Sequence, residues 1–311
     1  MAGLKALLTL DGTKLSESAF SLLPLIKSLG FDSLRLVSVW ESGWDERERL
    51  GDRHEALGDV NEKSRAFLDS YLKGHAETIQ ADGFEVECIV RTGKAAEEVL
   101  KASEGIDLIL IATHGRDGLA RVRLGSVADR IIRDAACPTL VIGPNVSIAL
   151  APYNTRRILV PLDGSALAES ALATAVWIAQ KQNAELDLVR VISLTPIGYD
   201  PTMGSYPVDL LTAMEDAGKA YLARMAESVS GKVPVNSALL LGSAADQILE
   251  FLKERPADLV VMASHGRAGL VRAALGSVAD RMLHGPSPVL IIRPEESAKS
   301  GLIAAAGASA G

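Results

Sequence analysis

Cysteine is nearly missing from this chain: Cys88 and Cys137 are the two among its 311 residues. They form no CxxC pattern, which argues against a disulfide framework or a zinc site and leaves reduced thiols as the expectation. Aromatic residues are scarce at 4%. The apolar mass therefore falls to Ala, Leu, Val and Ile, a mixture suited to aliphatic strands covered on both faces of a parallel sheet. No apolar run reaches eighteen residues, so no membrane span is expected. The opening MAGLKALLTLDG stops being apolar at Asp11 and offers no cleavage motif, which predicts a soluble, cytoplasmic protein. Positive charge is not in excess. Lys and Arg number 32 against 39 Asp and Glu, giving a net charge of −7 and a pI of about 5.4. That balance argues against a nucleic-acid partner, whose footprint is a basic face.

What is present is a duplication. IATHGRDGLARVRLGSVADRI, Ile111 to Ile131, returns from Met262 as MASHGRAGLVRAALGSVADRM, and between Ala112 and Arg130 the copies agree at fourteen of nineteen positions. KALLTLDGTKLSESAF at Lys5 likewise returns as RILVPLDGSALAESAL at Arg157. Asp11 and Asp163 are 152 residues apart, and Gly115 and Gly266 are 151 apart. Such constant spacing means a repeated domain rather than a solenoid unit. Domains are expected over 1–147 and 157–294, with PNVSIALAPYNT as the linker and the small residues of 295–311 as a flexible tail.

Within each copy, strand-like and helix-like patterns alternate. The first reads ALLTL, a helix over Ser16–Ile26, LRLVSVW, a long amphipathic segment, EVECIVR, a helix after Gly93, DLILIA, a helix from Val127, and TLVIG. In the long segment Leu57, Val60, Phe67, Leu68, Tyr71, Leu72 and Ile79 recur at helical steps. ILVPL, LDLVRVI, VNSALLL, DLVVMA and VLIIR repeat the strands. This alternation predicts an α/β, doubly wound parallel sheet in each copy.

Ligands of such sheets sit beyond the carboxyl ends of the strands, where the strand order reverses. Two features lie at such ends. Asp11-Gly12 and Asp163-Gly164 close the first strands, and the Gly115 and Gly266 loops close the fourth. Glycine admits a phosphate close to the backbone, and a helix N-terminus offers unpaired N–H groups at its positive end. Gly125-Ser126 before VADRII and Gly276-Ser277 before VADRML would present such groups to phosphate. A capping box, Ser126-x-x-Asp129 or Ser277-x-x-Asp280, explains the serine and the aspartate equally well. It does not explain the two glycines at fixed spacing or the aspartate after the first strand. That aspartate has two readings, a plain turn residue and a partner for ribose hydroxyls.

At these residues the chain resembles the universal stress protein family. Its nucleotide-binding pattern is Gly, two residues, Gly, nine residues, Gly, then Ser or Thr. Gly115 with Gly125-Ser126 and Gly266 with Gly276-Ser277 fit it, while Ala112 and Ala263 replace the first glycine. The resemblance implies a Rossmann-like, five-stranded parallel sheet in the order 3-2-1-4-5 in each copy, with ATP, with or without Mg²⁺, at the switch. It implies that Thr9, Leu10 and Asp11 meet the ribose or adenine side, as do Pro161, Leu162 and Asp163; Pro161 matches the family's usual residue and Thr9 departs from it. Val39 and Val191 would line the adenine. Gly115, Gly125, Ser126, Gly266, Gly276 and Ser277 would hold phosphates, with the backbone of Val127 and Val278 beside them, and Ala112 and Ala263 complete the binding set. TLVIG and VLIIR would pair within the chain as an internal pseudo-dimer, with a homodimer and an unknown protein partner as further assemblies. The implied function is an ATP-binding, nucleotide-dependent stress-response regulator. The alternatives are a weak ATPase and a nucleotide-independent dimerisation scaffold.

Other nucleotide motifs are missing. There is no GxxxxGK[ST], no GxGxxG after the first strand and no SGGxDS loop, which argues against P-loop, dinucleotide and adenylation chemistry. No catalytic residue is assigned, and slow ATP hydrolysis is the most expected. His114 and His265 have no visible partner cluster, so a structural role is favoured over catalysis. Arg121, Arg123 and Arg272 read as solvated charge.

Overall fold

The computed structural model describes residues 3–41, 54–113, 124–146, 155–193, 208–264 and 275–293, with 302, 304 and 305; over 54–61 and 208–209 it describes backbone alone. The first half runs β1 (Leu4–Thr9), α1 (Lys14–Ser18), a 3₁₀ turn (Ala19–Leu22), α2 (Leu23–Ser28), β2 (Phe31–Trp40), α3 (His54–Ala81), β3 (Glu85–Thr92), α4 (Ala95–Ala102), β4 (Leu108–Ala112), α5 (Ser126–Asp134) and β5 (Thr139–Ile142). The second runs β6 (Arg157–Pro161), α6 (Ala166–Gln182), β7 (Glu185–Ile192), α7 (Val208–Ser228), β8 (Val235–Leu241), α8 (Ala244–Glu254), β9 (Leu259–Ala263), α9 (Ser277–Met282) and β10 (Val289–Ile292).

All ten strands form one sheet in the order β3-β2-β1-β4-β5-β10-β9-β6-β7-β8. Each half keeps the expected 3-2-1-4-5 order, with parallel neighbours throughout. The halves meet where β10 runs antiparallel to β5, Leu290 opposite Leu140 and Val289 opposite Val141. TLVIG and VLIIR therefore pair within the chain.

Burial follows from this order. The central strands β4, β5, β9 and β10 are almost wholly buried, and the outermost, β3 and β8, are partly exposed along their length. Successive residues of a strand point to opposite faces, so Ala6 and Leu8 join one core layer and Leu7 the other. The first layer lies beneath α2, α3, α6 and α7, and the second beneath α4, α5, α8 and α9.

The structure differs from the expected helix over Ser16–Ile26, which breaks into α1, the 3₁₀ turn and α2. Pro24 sits in the first turn of α2. Lacking an N–H and clashing with the carbonyl four residues back, proline cannot continue a helix from before it. ALAESALATAVWIAQKQ, the second half's equivalent, has no proline and forms one helix of 17 residues. Leu302, in the segment expected to be a flexible tail, is fully buried in the first core layer, and Ala305 packs against it. Among the described residues no helix is long and apolar enough to cross a membrane.

Candidate functional site

The chain leaves β1 through a tight turn. Gly12 (φ +80°) and Gly164 (φ +91°) adopt the left-handed region that a side chain disfavours. The preceding aspartate holds each turn. Asp11 Oδ1 accepts from the Thr13 amide at 3.0 Å and its hydroxyl at 2.6 Å; Asp163 Oδ1 does the same for Ser165 at 2.8 and 2.6 Å. Thr13 and Ser165 then cap α1 and α6, accepting from the Ser16 and Ala168 amides. The turn reading of the aspartates is thus correct, and the turn also fixes both carboxylates at the carboxyl end of the sheet.

Opposite them, α5 begins. Its N-cap is Gly125, not Ser126, and among the described residues no side chain caps it; α9 begins in the same way on Gly276. The capping-box expectation fails here, because each serine is already the first helical residue. Asp129, instead of reaching back, lies 2.5 Å from Arg133 Nη2. The first amides of α5 are therefore not satisfied by a capping side chain, the arrangement that favours an anion. Thr113, buried at the end of β4, anchors the far side of the loop by accepting from the Gly125 amide at 3.2 Å.

These pieces wall a cavity of about 450 Å³ at the carboxyl ends of β1, β2 and β4. Of the first-half candidates, Thr9, Leu10, Asp11, Val39, Ala112, Gly125, Ser126 and Val127 all line it. Gly115 lies outside the described residues, as do Gly266, His114, His265, Arg121, Arg123 and Arg272. In the second half Pro161, Leu162, Asp163, Val191, Ala263 and Val278 line a smaller cavity of about 110 Å³, while Gly276 and Ser277 stand exposed beside it. Sequence reasoning missed Ser16, Val37, Ala95, Val99, Ile111, Thr113 and Ala128. The sheet register was the available signal: Val37 lies two residues before Val39 on the same face and pairs with Thr9.

The cavity lining mixes polar and aliphatic residues. Asp11, Ser16, Thr113 and Ser126 share its lining with Val37, Val99 and Ile111, which suits a ligand with both polar and apolar parts. Among the described residues no three His, Cys, Asp or Glu side chains gather as a metal site. Cys137 is buried, and burial pushes its thiol up to about 12, so it stays protonated and unreactive.

The sequence matches the Universal stress protein family over residues 5–143 and again over 154–293. A universal stress protein of Mycobacterium tuberculosis is 30% identical over 198 residues, 63% of this chain; the match spans 64% of the relative's length. One from Methanocaldococcus jannaschii is 33% identical over 141 residues, 44% of this chain and 82% of its own. The crystal structure of a universal stress protein from Archaeoglobus fulgidus superposes with a TM-score of 0.68 at 23% identity, covering 93% of this chain and 98% of the other. That likeness concerns the fold. With both of its halves matched, the chain belongs to the universal stress protein family as a tandem, two-domain member.

Proposed function

We propose that the chain binds ATP at the carboxyl ends of its first and fourth strands and acts as a nucleotide-dependent stress-response regulator. One observation carries this reading. Among the described residues no side chain caps the amides that open α5, and these amides belong to residues that line one cavity together with Asp11. Phosphate oxygens supply the acceptors such amides lack, each charge-assisted bond contributing about 1.5–3 kcal/mol. Asp11 and Asp163 are held by their turns beside the place for ribose, and the aliphatic walls suit a base. Regulation follows from occupancy: a ligand shifts the population of the surface it orders, and that surface meets a partner protein in the cytoplasm.

Denaturing the purified protein and chromatographing the supernatant is the direct test, followed by calorimetric titration with ATP, with and without Mg²⁺. Released adenine nucleotide or a binding heat is the expected result; neither appearing would overturn the reading. A variant sharpens it. A Cβ on Gly276 would meet nothing within 4 Å, so Gly276→Glu should fold normally while its carboxylate repels phosphate. Binding in the second half that survives this change would show that the site lies elsewhere.

A further inference from the structure

Among the described residues, the space next to the first-half cavity differs from its counterpart in the second half. Two relations fix the correspondence. Thr9 pairs with Val37 as Pro161 pairs with Val189, so Trp40 at the end of β2 corresponds to Ile192 at the end of β7. Tyr71 of α3 faces Glu17 and Asp11 as Tyr221 of α7 faces Glu169 and Asp163. Counting back from the tyrosines, Phe67 and Leu68 correspond to Ala217 and Gly218.

In the second half the helix lies against the sheet. A Cβ on Gly218 would come 2.7 Å from Leu239 Cδ1 and 3.5 Å from Ile192 Cδ1. Those two side chains already fill the place. In the first half bulkier residues stand there, and a cavity of about 680 Å³ opens among Trp40, Glu41, Lys63, Phe67 and Leu68. It is continuous with the first cavity, since Leu10, Asp11, Val39 and Ala95 line both. Phe67 on its wall is 71% exposed, the highest value among the large hydrophobic side chains described. A phenyl ring left in water forgoes the burial that ordinarily stabilises it, and on the wall of a cavity it offers a face for a planar ligand.

We propose that the first half is the tight nucleotide site, because the base extends into this annex and stacks on Trp40 and Phe67, and that the second half binds the same nucleotide weakly. The proposal rests on the nucleotide reading of the main cavity. The order of groups along the two cavities favours a base as the occupant. The residues that open α5 line only the first cavity, Asp11 and Val39 line both, and Trp40 and Phe67 line only the annex, a sequence that matches phosphate, then ribose, then base. Glu41 helps to shape the annex, its Oε1 accepting from the Ala95 amide at 2.6 Å. Stacking on aromatic rings accepts any base. The annex therefore rewards the presence of a base rather than its identity.

The test is calorimetric titration of the full chain with ATP and, separately, with tripolyphosphate. ATP should show one tight site per chain and a second at least about tenfold weaker. Phe67→Ala should weaken the tight site about tenfold, the effect of losing one stacked base. Phe67→Tyr should retain it, and tripolyphosphate should bind both variants as it binds the unaltered chain. Phe67 is exposed, so melting curves should coincide. Two ATP sites of equal strength would overturn the proposal. So would a tight site unmoved by Phe67→Ala but removed by Gly125→Glu, an outcome under which the nucleotide reading still stands. No heat with either ligand removes both.

Discussion

The carbonyl oxygen of Leu283 occupies the space that a side chain on Gly143 would need. Gly143 follows β5 and Leu283 follows α9, so this contact joins the two halves beside the antiparallel strand pair. The duplicated position after β10 is Arg293, buried, with its guanidinium donating to the Arg133 carbonyl. The junction is therefore not symmetric: one crossing is closed by a bare backbone and the other by a long cationic side chain.

Gly143→Ala should cost about 1–3 kcal/mol, the usual penalty of forcing atoms into filled space. Gly74→Ala is the control. Gly74 is exposed in α3 with nothing within 4 Å of its Cβ position, and alanine there should stabilise by about 1 kcal/mol through helix propensity. Urea midpoints of the two variants should move in opposite directions. A Gly143→Ala midpoint equal to that of the unaltered chain would mean that the halves do not touch as described.

A second relation between strand and helix reverses its polarity between the copies. Arg35 of β2 donates from Nη1 to the Ala102 carbonyl at 2.6 Å and from Nε to Glu87 at 2.7 Å. The same place in β7 holds Asp187, 1% exposed, which accepts from Arg255 Nε at 2.8 Å. Breaking a buried pair from one side leaves a charge uncompensated, at about 3–5 kcal/mol. Arg255 is itself 36% exposed and Arg157 also lies 3.5 Å from Asp187, so Arg255→Ala should cost less than breaking a fully buried pair, about 2 kcal/mol. Adding Asp187→Val should recover most of that loss in urea denaturation, because the stranded carboxylate is gone. A double variant no more stable than Arg255→Ala would show that the penalty is not electrostatic.

Much of this molecule was readable from periodicity and repetition. Aliphatic runs every few tens of residues are strands buried on both faces, and the repeat places two copies of one sheet. The first and fourth strand ends stood out because Asp-Gly and Gly-Ser are chemically distinctive. Other features depend on contacts that no local pattern carries. Thr113 and Gly125 bond across the loop, and Asp187 finds Arg255 across 68 residues of chain. The capping-box alternative could not be decided from sequence, because a serine that begins a helix and one that caps it differ by a single residue. Pro24 was legible but was overridden by the apolar period around it.

Leu302 was not legible at all. A leucine among small residues carries no period, yet it is fully buried against the first core layer. Leu302→Ala should therefore lower stability by about 2–4 kcal/mol, the range for truncating a buried leucine. A freely moving tail would give no change, and thermal or urea unfolding distinguishes the two outcomes.

The last prediction concerns charge across the junction. Burial pushes the Asp129 carboxyl above its ordinary value of 3.8; Arg133 opposes this, and Asp280 of the other half, with Asp134, adds to it. A carboxyl raised by folding binds its proton more tightly in the native chain than in the unfolded one. Its ionised form therefore costs stability at neutral pH, and that cost fades as pH falls through the raised value toward 3.8. Asp129→Asn should stabilise the protein at pH 7, with the gain shrinking on acidification. Asp280→Asn should leave Asp129 in place but bring its pKa down, read by carboxyl chemical shifts in an NMR titration. An Asp129 titration unaltered by Asp280→Asn would show that the two carboxylates do not sense each other across the pseudo-dyad.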